Sequence, residues 1–357
     1  MSIYFRINKR TSSSWLLSVF LPFISVLLAL IGGSIFLSFL KVSPVQAYRG
    51  MFQTAFGDWY GISETIVKAI PLILSGIAVT LAFKATVWNI GAAGQIFLGA
   101  LATTAAVRYF YVDNRGIMLV IMFLFAGIAG GGWAAIAGYL KARWNVNETI
   151  TTLMLNYIAI HLADYFIYGP WKDPDSLGFP MTAPFPEAAR LPQFAGTRIH
   201  YGLFIAIIFA ILFWFIFRYT RWGYEIRVIG ENPKAAQYAG IYYLRYIVLI
   251  MFISGAIAGI AGMGEVSGLQ GRLQHGFTAE FGFTAIIVAW LARLNPISVM
   301  LVSFLIGALQ VGGESLQIVM RLPIASTLVL QGLILFFVLG GEFFRNYRIR
   351  FIRGDER

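Results

Sequence analysis

Several residue types are scarce or missing in this chain of 357 residues. It contains no cysteine, which excludes disulfide bonds, iron–sulfur clusters and thiolate metal sites. Its three histidines, His161, His200 and His275, are far apart and form no pair with metal-ligand spacing. Charged residues make up 12% of the chain, well below the ~25% that is usual for soluble domains. We therefore expect no metal site and no soluble globular fold.

Motifs for chemistry are missing as well. The sequence has no G-x-x-x-x-G-K-[ST] stretch, the loop that cradles nucleotide phosphates. It has no serine–histidine or paired-carboxylate arrangement with catalytic spacing, and no series of intramembrane carboxylates that would relay protons. An intramembrane enzyme is therefore the least supported class, and we expect no catalytic residue and no cofactor in this chain. If transport is driven by ATP, another chain supplies the ATPase.

Apolar residues dominate the chain, and they are grouped in long runs. They make up 59% of it, more than one soluble core of this size can bury, so the surplus must face lipid. A spanning helix needs roughly 20 mainly apolar residues. The fold class expected is an all-α integral membrane bundle of about ten transmembrane helices. The predicted spans are residues 15–40, 63–83, 87–107, 116–140, 148–168, 200–217, 246–264, 278–292, 296–314 and 323–340.

The basic residues give the predicted orientation. With the N-terminus in the cytoplasm, the segments between spans place 17 Lys and Arg inside and 9 outside, with Lys68 inside a span. Cytoplasmic loops carry the excess of positive charge in membrane proteins. The net charge of +11 is thus explained by topology rather than by nucleic-acid binding, and both termini are predicted to be cytoplasmic.

Domain boundaries follow from these spans. Residues 1–14 are predicted to be a cytoplasmic N-terminus, 15–341 the transmembrane domain, and 342–357 a basic cytoplasmic tail. Within the domain, residues 169–199 form an external loop that holds six of the chain's 12 prolines. Residues 218–245 form the longest cytoplasmic loop.

Polar side chains inside the predicted spans are candidates for a solute pathway, since polar groups in lipid usually face a bundle interior or a cavity. Asn89 and Gln95 flank two glycines at the start of the third span, which favours a broken helix at this point. Helix–helix packing is the competing interpretation for each side chain. The candidate pathway residues are Asn89, Gln95, Asn156, Glu265, Gln310 and Glu314.

Three segments carry a family resemblance. Residues 89–95 resemble an N-I-G-x-x-G-Q signature, and residues 147–157 an N-E-x-I-x-T-L-M-x-N-Y run. Residues 230–241 resemble a G-x-N-P-x-A-A-x-Y-A-G-I cytoplasmic loop. A fourth match combines residues 282–286 with 294–296. Together they resemble ABC importer permeases of the branched-chain amino acid, ribose and nucleoside group, most of all the nucleoside and simple-sugar permeases that work with basic-membrane-protein-type receptors.

The resemblance implies a function and partners. The chain would be the permease subunit of an ATP-driven importer in a bacterial inner membrane, passing a nucleoside or related polar solute by alternating access. Its partners would be ABC ATPase subunits that bind ATP and Mg²⁺, a second permease chain (a heterodimer rather than a homodimer) and an extracytoplasmic solute receptor. Residues 231–241 would be the coupling helix, with Asn232 as its cap and Pro233 at its first position. The coupling residues expected are Asn232, Pro233, Ala235, Ala236, Tyr238 and Gly240.

Alternatives remain at this stage. Many members of the family have an acidic residue in the first signature, where this chain has Ala92 and Ala93. A simple-sugar or flavin permease is therefore an alternative within the family. A stand-alone secondary transporter or channel, which needs no ATPase, is the alternative from another class.

Overall fold

The structure, a computed structural model, describes residues 3–9, 15–277, 279–323 and 325–353. The chain divides into two compact units. The first unit combines Met1–Asp58 with Leu309–Arg357, and the second is Trp59–Ala308. Parts of the predicted terminal segments, residues 1, 2, 10–14 and 354–357, lie outside the described residues.

Thirteen α-helices and two strands make up the secondary structure of the described residues. In chain order they are β1 Ile3–Lys9, α1 Trp15–Phe39, α2 Pro44–Phe56, α3 Trp59–Lys84, α4 Ala92–Tyr109, α5 Arg115–Trp144, α6 Glu148–Tyr168, α7 Gly202–Tyr219, α8 Arg221–Glu231, α9 Pro233–Tyr238, α10 Tyr243–Gly264, α11 Ala279–Leu291, α12 Pro296–Met320, α13 Ala325–Asn346 and β2 Tyr347–Arg353. A π-helical segment, Glu265–Gln270, extends α10.

Each of the ten predicted spans overlaps a helix, but fewer helices meet the requirements for crossing a membrane. Among the described residues, six are long and apolar enough: α3, α5, α6, α7, α10 with its π-helical extension, and α12. A seventh candidate is the bent pair Ile24–Phe39 and Pro44–Phe56, whose axes differ by 115°. The structure thus supports an all-helical membrane bundle with six or seven spans by this measure.

Two of the weakest predicted spans differ from a plain helix. The third, 87–107, starts as non-helical chain, and its helix α4 begins only at Ala92. The eighth, 278–292, is the 13-residue helix α11, about 20 Å long at 1.5 Å per residue. A hydrocarbon core is ~30 Å thick, so α11 alone does not cross it.

The helices of the second unit alternate in direction, which gives this unit two ends. We call the group of residues 84–91, 141–148 and 218–243 the coupling end, where Thr86 is bonded to Gly230 and Lys141 to Glu148. We call the group of residues 109–115, 169–200 and 265–277 the loop end, where Trp171 Nε1 donates to Tyr109 OH at 3.1 Å.

The proline-rich segment 169–199 lies at the loop end as ordered chain without long helices. Its backbone N–H groups at Thr182, Phe185 and Leu191 donate to carbonyls of Leu273, Gly271 and Ser267. Trp171, Phe185, Ala189 and Leu191 are buried in the same apolar cluster as Leu273 and Phe277. Main-chain bonds and a shared core therefore join this loop to the segment that follows α10.

Small residues set the packing between α4, α5 and α10. A Cβ added to Gly130 would lie 2.4 Å from the carbonyl oxygen of Gly255, and one on Gly262 would lie 2.0 Å from that of Ile96. Only glycine permits backbones this close, and such contacts stabilise helix pairs in lipid, where there is no hydrophobic drive between helices. The glycine patterns around 127–131 and 255–259 thus hold the centre of the second unit together.

The first unit brings the two ends of the chain together. β1 and β2 pair antiparallel from Ile3 opposite Arg353 to Lys9 opposite Tyr347, and this two-stranded sheet accompanies the predicted all-helical bundle. The sequence analysis missed both strands and α2. The latter folds back on α1, where the Tyr48 hydroxyl donates to the Leu30 carbonyl at 2.8 Å.

Candidate functional site

The candidate site is built around a non-helical inset, residues 85–91, between α3 and α4. Asn156 lies eight residues into α6, which is about 12 Å from the start of that helix. Its Oδ1 accepts from the backbone N–H of Gly94 at 2.7 Å, and its Nδ2 donates to the carbonyl of Ile90 at 2.8 Å. Helix α4 therefore begins inside the bundle, level with the third turn of α6 rather than with the start of that helix.

Asn89 is the centre of a buried hydrogen-bond network. Its Nδ2 donates to Gln95 Oε1 at 3.1 Å and to Ser254 Oγ at 2.9 Å. Its Oδ1 accepts from Gln95 Nε2 at 2.9 Å and from the N–H of Gly91 at 3.0 Å. Ser254 in turn donates to the carbonyl of Ala78 at 2.6 Å. The network joins the inset to α3, α4 and α10.

The three amide residues therefore meet in space, as a pathway requires, but their amides are occupied within the protein. Asn89, Gln95 and Asn156 are each at most 2% exposed. A satisfied buried network of this kind rigidifies the backbone it holds. The N-I-G-x-x-G-Q signature thus builds the start of α4, and direct contact of its amides with solute stays a prediction.

Ser254 and Thr152 complete the inset but were missed by sequence reasoning. Thr152 Oγ1 accepts from the N–H of Ile90 at 3.2 Å and donates to the carbonyl of Glu148 at 2.7 Å. Hydroxyl residues within apolar helices are common, so neither residue stood out. Ser254 is also 165 residues from Asn89, so no local pattern links the two. The position of Thr152 inside the second signature was the available signal.

The start of α11 lies beside the start of α4. A Cβ on Gly282 would come within 2.2 Å of the backbone N of Ala93, and the rings of Phe277 and Phe97 are 4.7 Å apart. Two helix N-termini are therefore brought together in the interior of the second unit. Discontinuous helices of this kind form the binding regions of many transporters, where backbone groups freed from helices can face a solute.

Glu265 belongs to a different group, near the loop end. It is 3% exposed, and the cations that act on it are Lys68 and Arg198. Arg198 also pairs with Glu64 at 3.0 Å, whereas the other oxygen of Glu64, Oε1, is buried without a hydrogen-bond partner among the described residues. These four side chains come from α3, the external loop and the end of α10, and their charges balance.

The remaining two pathway candidates lie on the later part of α12, in the first unit. Gln310 Oε1 is buried without a hydrogen-bond partner in the described part of the chain, and Glu314 is exposed to solvent or lipid. The structure thus brings together three of the six candidates, places Glu265 in a charged group, and assigns Gln310 and Glu314 to the other unit.

The segment 230–241 has the predicted local geometry. Asn232 Oδ1 accepts from the N–H groups of Lys234 and Ala235 at 3.0 and 3.1 Å, and Pro233 is the first residue of α9. Gly240 has φ 78°, a conformation suited to glycine, and ends the segment. The cap and the start of the predicted helix are confirmed.

The surface of this segment is uneven in exposure. Ala236 is fully buried, whereas the side chain of Tyr238 is 93% exposed. A groove of about 570 Å³ runs beside it. It is lined by Ala142, Arg143, Gln237, Gly240, Ile241, Tyr242, Tyr243, Leu244 and Arg245. An exposed aromatic beside a basic groove is typical of a protein contact surface.

Helix α8 is fastened to its surroundings at several points. Glu225 accepts a hydrogen bond from the hydroxyl of Tyr246 on α10 and pairs with Arg221 at 3.0 Å. Gly223 fits directly against the backbone of α7 at Ile216 and Phe217. The described residues contain no cluster of three His, Cys, Asp or Glu side chains that could hold a metal ion.

Comparison with known proteins decides the family. The model of the branched-chain amino acid transport system permease component matches residues 61–339, which is most of the chain. The chain belongs to this family. It is the membrane-spanning permease subunit of an ABC transporter, and the alternative of a stand-alone carrier or channel is set aside by this finding.

Curated relatives agree with this assignment. A glucose ABC transporter permease of Haloferax volcanii is 37% identical over 96% of this chain and 92% of its own length. A guanosine ABC transporter permease of Bacillus subtilis is 34% identical over 93% and 95%. A solved Streptococcus pneumoniae PsaBC complex covers 82% of this chain and 94% of its own at 12% identity, with a TM-score of 0.48.

Proposed function

We propose that this permease carries a nucleoside across a bacterial inner membrane, in a complex with ABC ATPase subunits, a second permease chain and an external solute receptor. The observation that carries the coupling part is the segment 230–241, whose cap, first-position proline and exposed tyrosine form a compact protruding surface. Relatives named for guanosine and nucleosides support the solute class.

A sugar is the second candidate. The relative with 37% identity is named for glucose, and another, at 25% identity, is named as a probable riboflavin permease. In the charged group near the loop end, Glu64 and Glu265 are balanced by Lys68 and Arg198. A neutral solute with many hydroxyl or ring N–H groups fits that balance better than a phosphorylated one, and this holds for nucleosides, sugars and flavins alike.

The orientation proposed has ten membrane-embedded helices and both termini in the cytoplasm. Paired strands β1 and β2 support an even number of crossings, because the two ends of the chain must then lie on the same side. An open two-stranded sheet has unpaired edges that hydrocarbon does not tolerate, so it belongs outside the bilayer core. In the second unit, nine Lys and Arg fall at or next to the coupling end and six at or next to the loop end, which supports a cytoplasmic coupling end.

The test of the coupling assignment is co-purification of the ATPase with tagged permease. Replacing Tyr238 by alanine should lower receptor-stimulated ATP hydrolysis and weaken ATPase binding by ~2 kcal/mol or more, as for an interfacial aromatic. Pro233→Gly and Ala236→Asp should uncouple transport as well. The control is Tyr157→Ala, a 54% exposed tyrosine on α6. Uptake that persists without any ATPase would overturn the proposal.

The solute is identified by thermal-shift screening of the cognate receptor with guanosine, glucose and riboflavin. A shift with guanosine alone supports the nucleoside assignment, and a shift with glucose alone would replace it. For the permease, Asn89→Leu and Gln95→Leu should reduce guanosine uptake while the complex still assembles. Normal uptake by both variants would remove these amides from the pathway.

A further inference from the structure

The last turn of α3 ends in a conformation that its sequence does not favour. The N–H of Val87 donates to the carbonyl of Ala82 at 3.1 Å, and that of Thr86 to the carbonyl of Phe83 at 2.9 Å. This pair of bonds is the usual helix ending in which glycine occupies the left-handed position. Here that position is Thr86, with φ 57°. A β-branched residue with positive φ is a genuine outlier.

Other helix ends with positive φ carry residues that are not β-branched. Asn145 ends α5 with φ 53°, Gly240 follows α9 with φ 78°, and Arg293 follows α11 with φ 51°. Asparagine and glycine tolerate this region best, and a β-branched side chain is the least suited to it. A glycine at position 86 would have relieved the strain, so the side chain of Thr86 must supply something that glycine cannot. Strain that persists at such a point is a reason to look for function.

The side chain of Thr86 is bonded to the coupling segment. Its Oγ1 donates to the carbonyl oxygen of Gly230 at 2.7 Å, across 144 residues of sequence. Gly230 lies in the last turn of α8, two residues before the cap of α9. A Cβ on Gly230 would lie 2.2 Å from the carbonyl oxygen of Lys84, so the backbones of α8 and α3 are in direct contact here. The hydrogen bond of Thr86 and this backbone contact therefore link α3 and α8 at the same point.

The same residue starts the inset. Three residues later in the chain, Asn89 enters the buried network with Gln95 and Ser254. A displacement of α8 that carries Gly230 with it therefore pulls on Thr86, and through five residues of non-helical chain on the start of α4. Non-helical chain can absorb changes in φ and ψ that a continuous helix cannot, which makes it suited to transmit a hinge movement.

We propose that Thr86 is a positioning residue for coupling: it transmits movement of the ATPase-docking segment α8–α9 to the inset 85–91 and the start of α4. The proposal rests on the docking role proposed above for α9. It assigns the strained backbone and the hydroxyl to one task, which is to hold the inset at a fixed distance from Gly230.

The test uses the complete importer in proteoliposomes, made cysteine-free in its partner chains, with W88C added to this naturally cysteine-free permease. Trp88 lies in the inset and is 41% exposed, so a maleimide probe reports on the inset without any transported solute. Labelling is measured with and without ATP plus vanadate. The variants are T86G, T86S and T86V, and the control is N145G, which relaxes another left-handed helix end at the same end of the unit.

The expected results distinguish a role of Thr86 in coupling from a role only in ending α3. T86G should assemble with unchanged or higher melting temperature, because the strain is relieved, yet the ATP-dependent change in labelling should fall about five- to tenfold, as for one lost hydrogen bond. T86V, which keeps the shape of threonine and loses the hydroxyl, should show the same fall in ATP-dependent labelling. T86S and N145G should match the parent.

Three outcomes would overturn the proposal. One is a T86G complex that keeps the full ATP-dependent change, since Thr86 would then act only as a helix end. Another, which decides the case if T86G does not assemble, is equal behaviour of T86V and T86S. The last is a parent W88C complex whose labelling does not respond to ATP. Loss of the ATPase from the parent complex in a pull-down would instead contradict the docking role of α9.

Discussion

The two ends of the second unit are joined in different ways. At the loop end, segment 169–199 and the chain after α10 share main-chain hydrogen bonds and a buried apolar cluster. At the coupling end, α8 lies backbone to backbone against α3 and α7, and Tyr224, Tyr238 and Tyr242 are exposed by 60% or more. The loop end is therefore held together by main-chain bonds between its segments, whereas the coupling end places three exposed tyrosines on one short stretch of chain.

The largest expected effect comes from the packing of α5 on α10, which lies between the two ends. Gly130→Leu places side-chain atoms against the backbone of α10, where even a Cβ would lie 2.4 Å from the carbonyl of Gly255, whereas Gly132 has open space around it. Overpacking of this kind costs ~3 kcal/mol or more when backbones must separate. We expect Gly130→Leu to abolish recovery of monodisperse protein in detergent chromatography and Gly132→Leu to leave it unchanged. Equal recovery would show that the α5–α10 contact is not essential.

A smaller effect is expected within the external loop. Phe185 is 3% exposed in the loop-end cluster, whereas Phe179 of the same loop is 63% exposed. Truncation of a buried phenylalanine costs ~3–5 kcal/mol. Phe185→Ala should therefore open the loop to limited proteolysis at rates at least tenfold higher, and Phe179→Ala should not. If both variants resist cleavage equally, the loop is held by its backbone bonds and the cluster contributes little.

The smallest effect is a pH dependence confined to the loop end. Burial lowers the pKa of His200, just before α7, from 6.5 to about 4. Between these values only the opened form takes up a proton, so stability is full above pH 6.5 and falls as the pH drops toward 4, by up to ~3 kcal/mol.

This dependence can be measured by hydrogen exchange. Amides of residues 265–277 should exchange faster at pH 4.5 than at pH 7 after correction for intrinsic rates, and those of 218–243 should not. A background that carries both His275→Gln and Glu265→Gln removes two other titratable side chains of this region, including the His275 whose Nδ1 lies 2.7 Å from Asp164 Oδ1. His200→Gln should abolish the difference. A uniform response at both ends would contradict the comparison.

Much of this arrangement could be predicted from the sequence, since apolar runs indicate helices that face lipid and the distribution of basic residues indicates their orientation. All ten predicted spans overlap helices, and the Asn232 cap and Pro233 start were read correctly because capping is local chemistry. The sequence indicated a break before α4 and a full span at α11, but it did not reveal where α4 starts, because a helix that starts inside a bundle is defined by distant partners such as Asn156 and Ser254.

The paired strands, the bent helix α2 and the strained Thr86 were not predictable for a related reason. β1 and β2 are defined by each other across almost the whole chain. The fold of α2 onto α1 depends on the Tyr48 hydroxyl and on a buried cluster shared with Leu316 and Leu330, and the side chain of Thr86 is bonded to a carbonyl 144 residues away. Patterns within a short window carry no information about such pairings.

The pairing of β1 with β2 has a consequence for biogenesis. During synthesis the first strand emerges long before the last, and it must wait without a partner until every helix between them has been inserted. Closing so long a loop carries a chain-entropy cost that grows only slowly with length. The length of the loop therefore delays formation of the sheet but lowers its stability little. The sheet can therefore form only on a chain whose ends have reached the same side of the membrane, and its formation marks the completion of insertion.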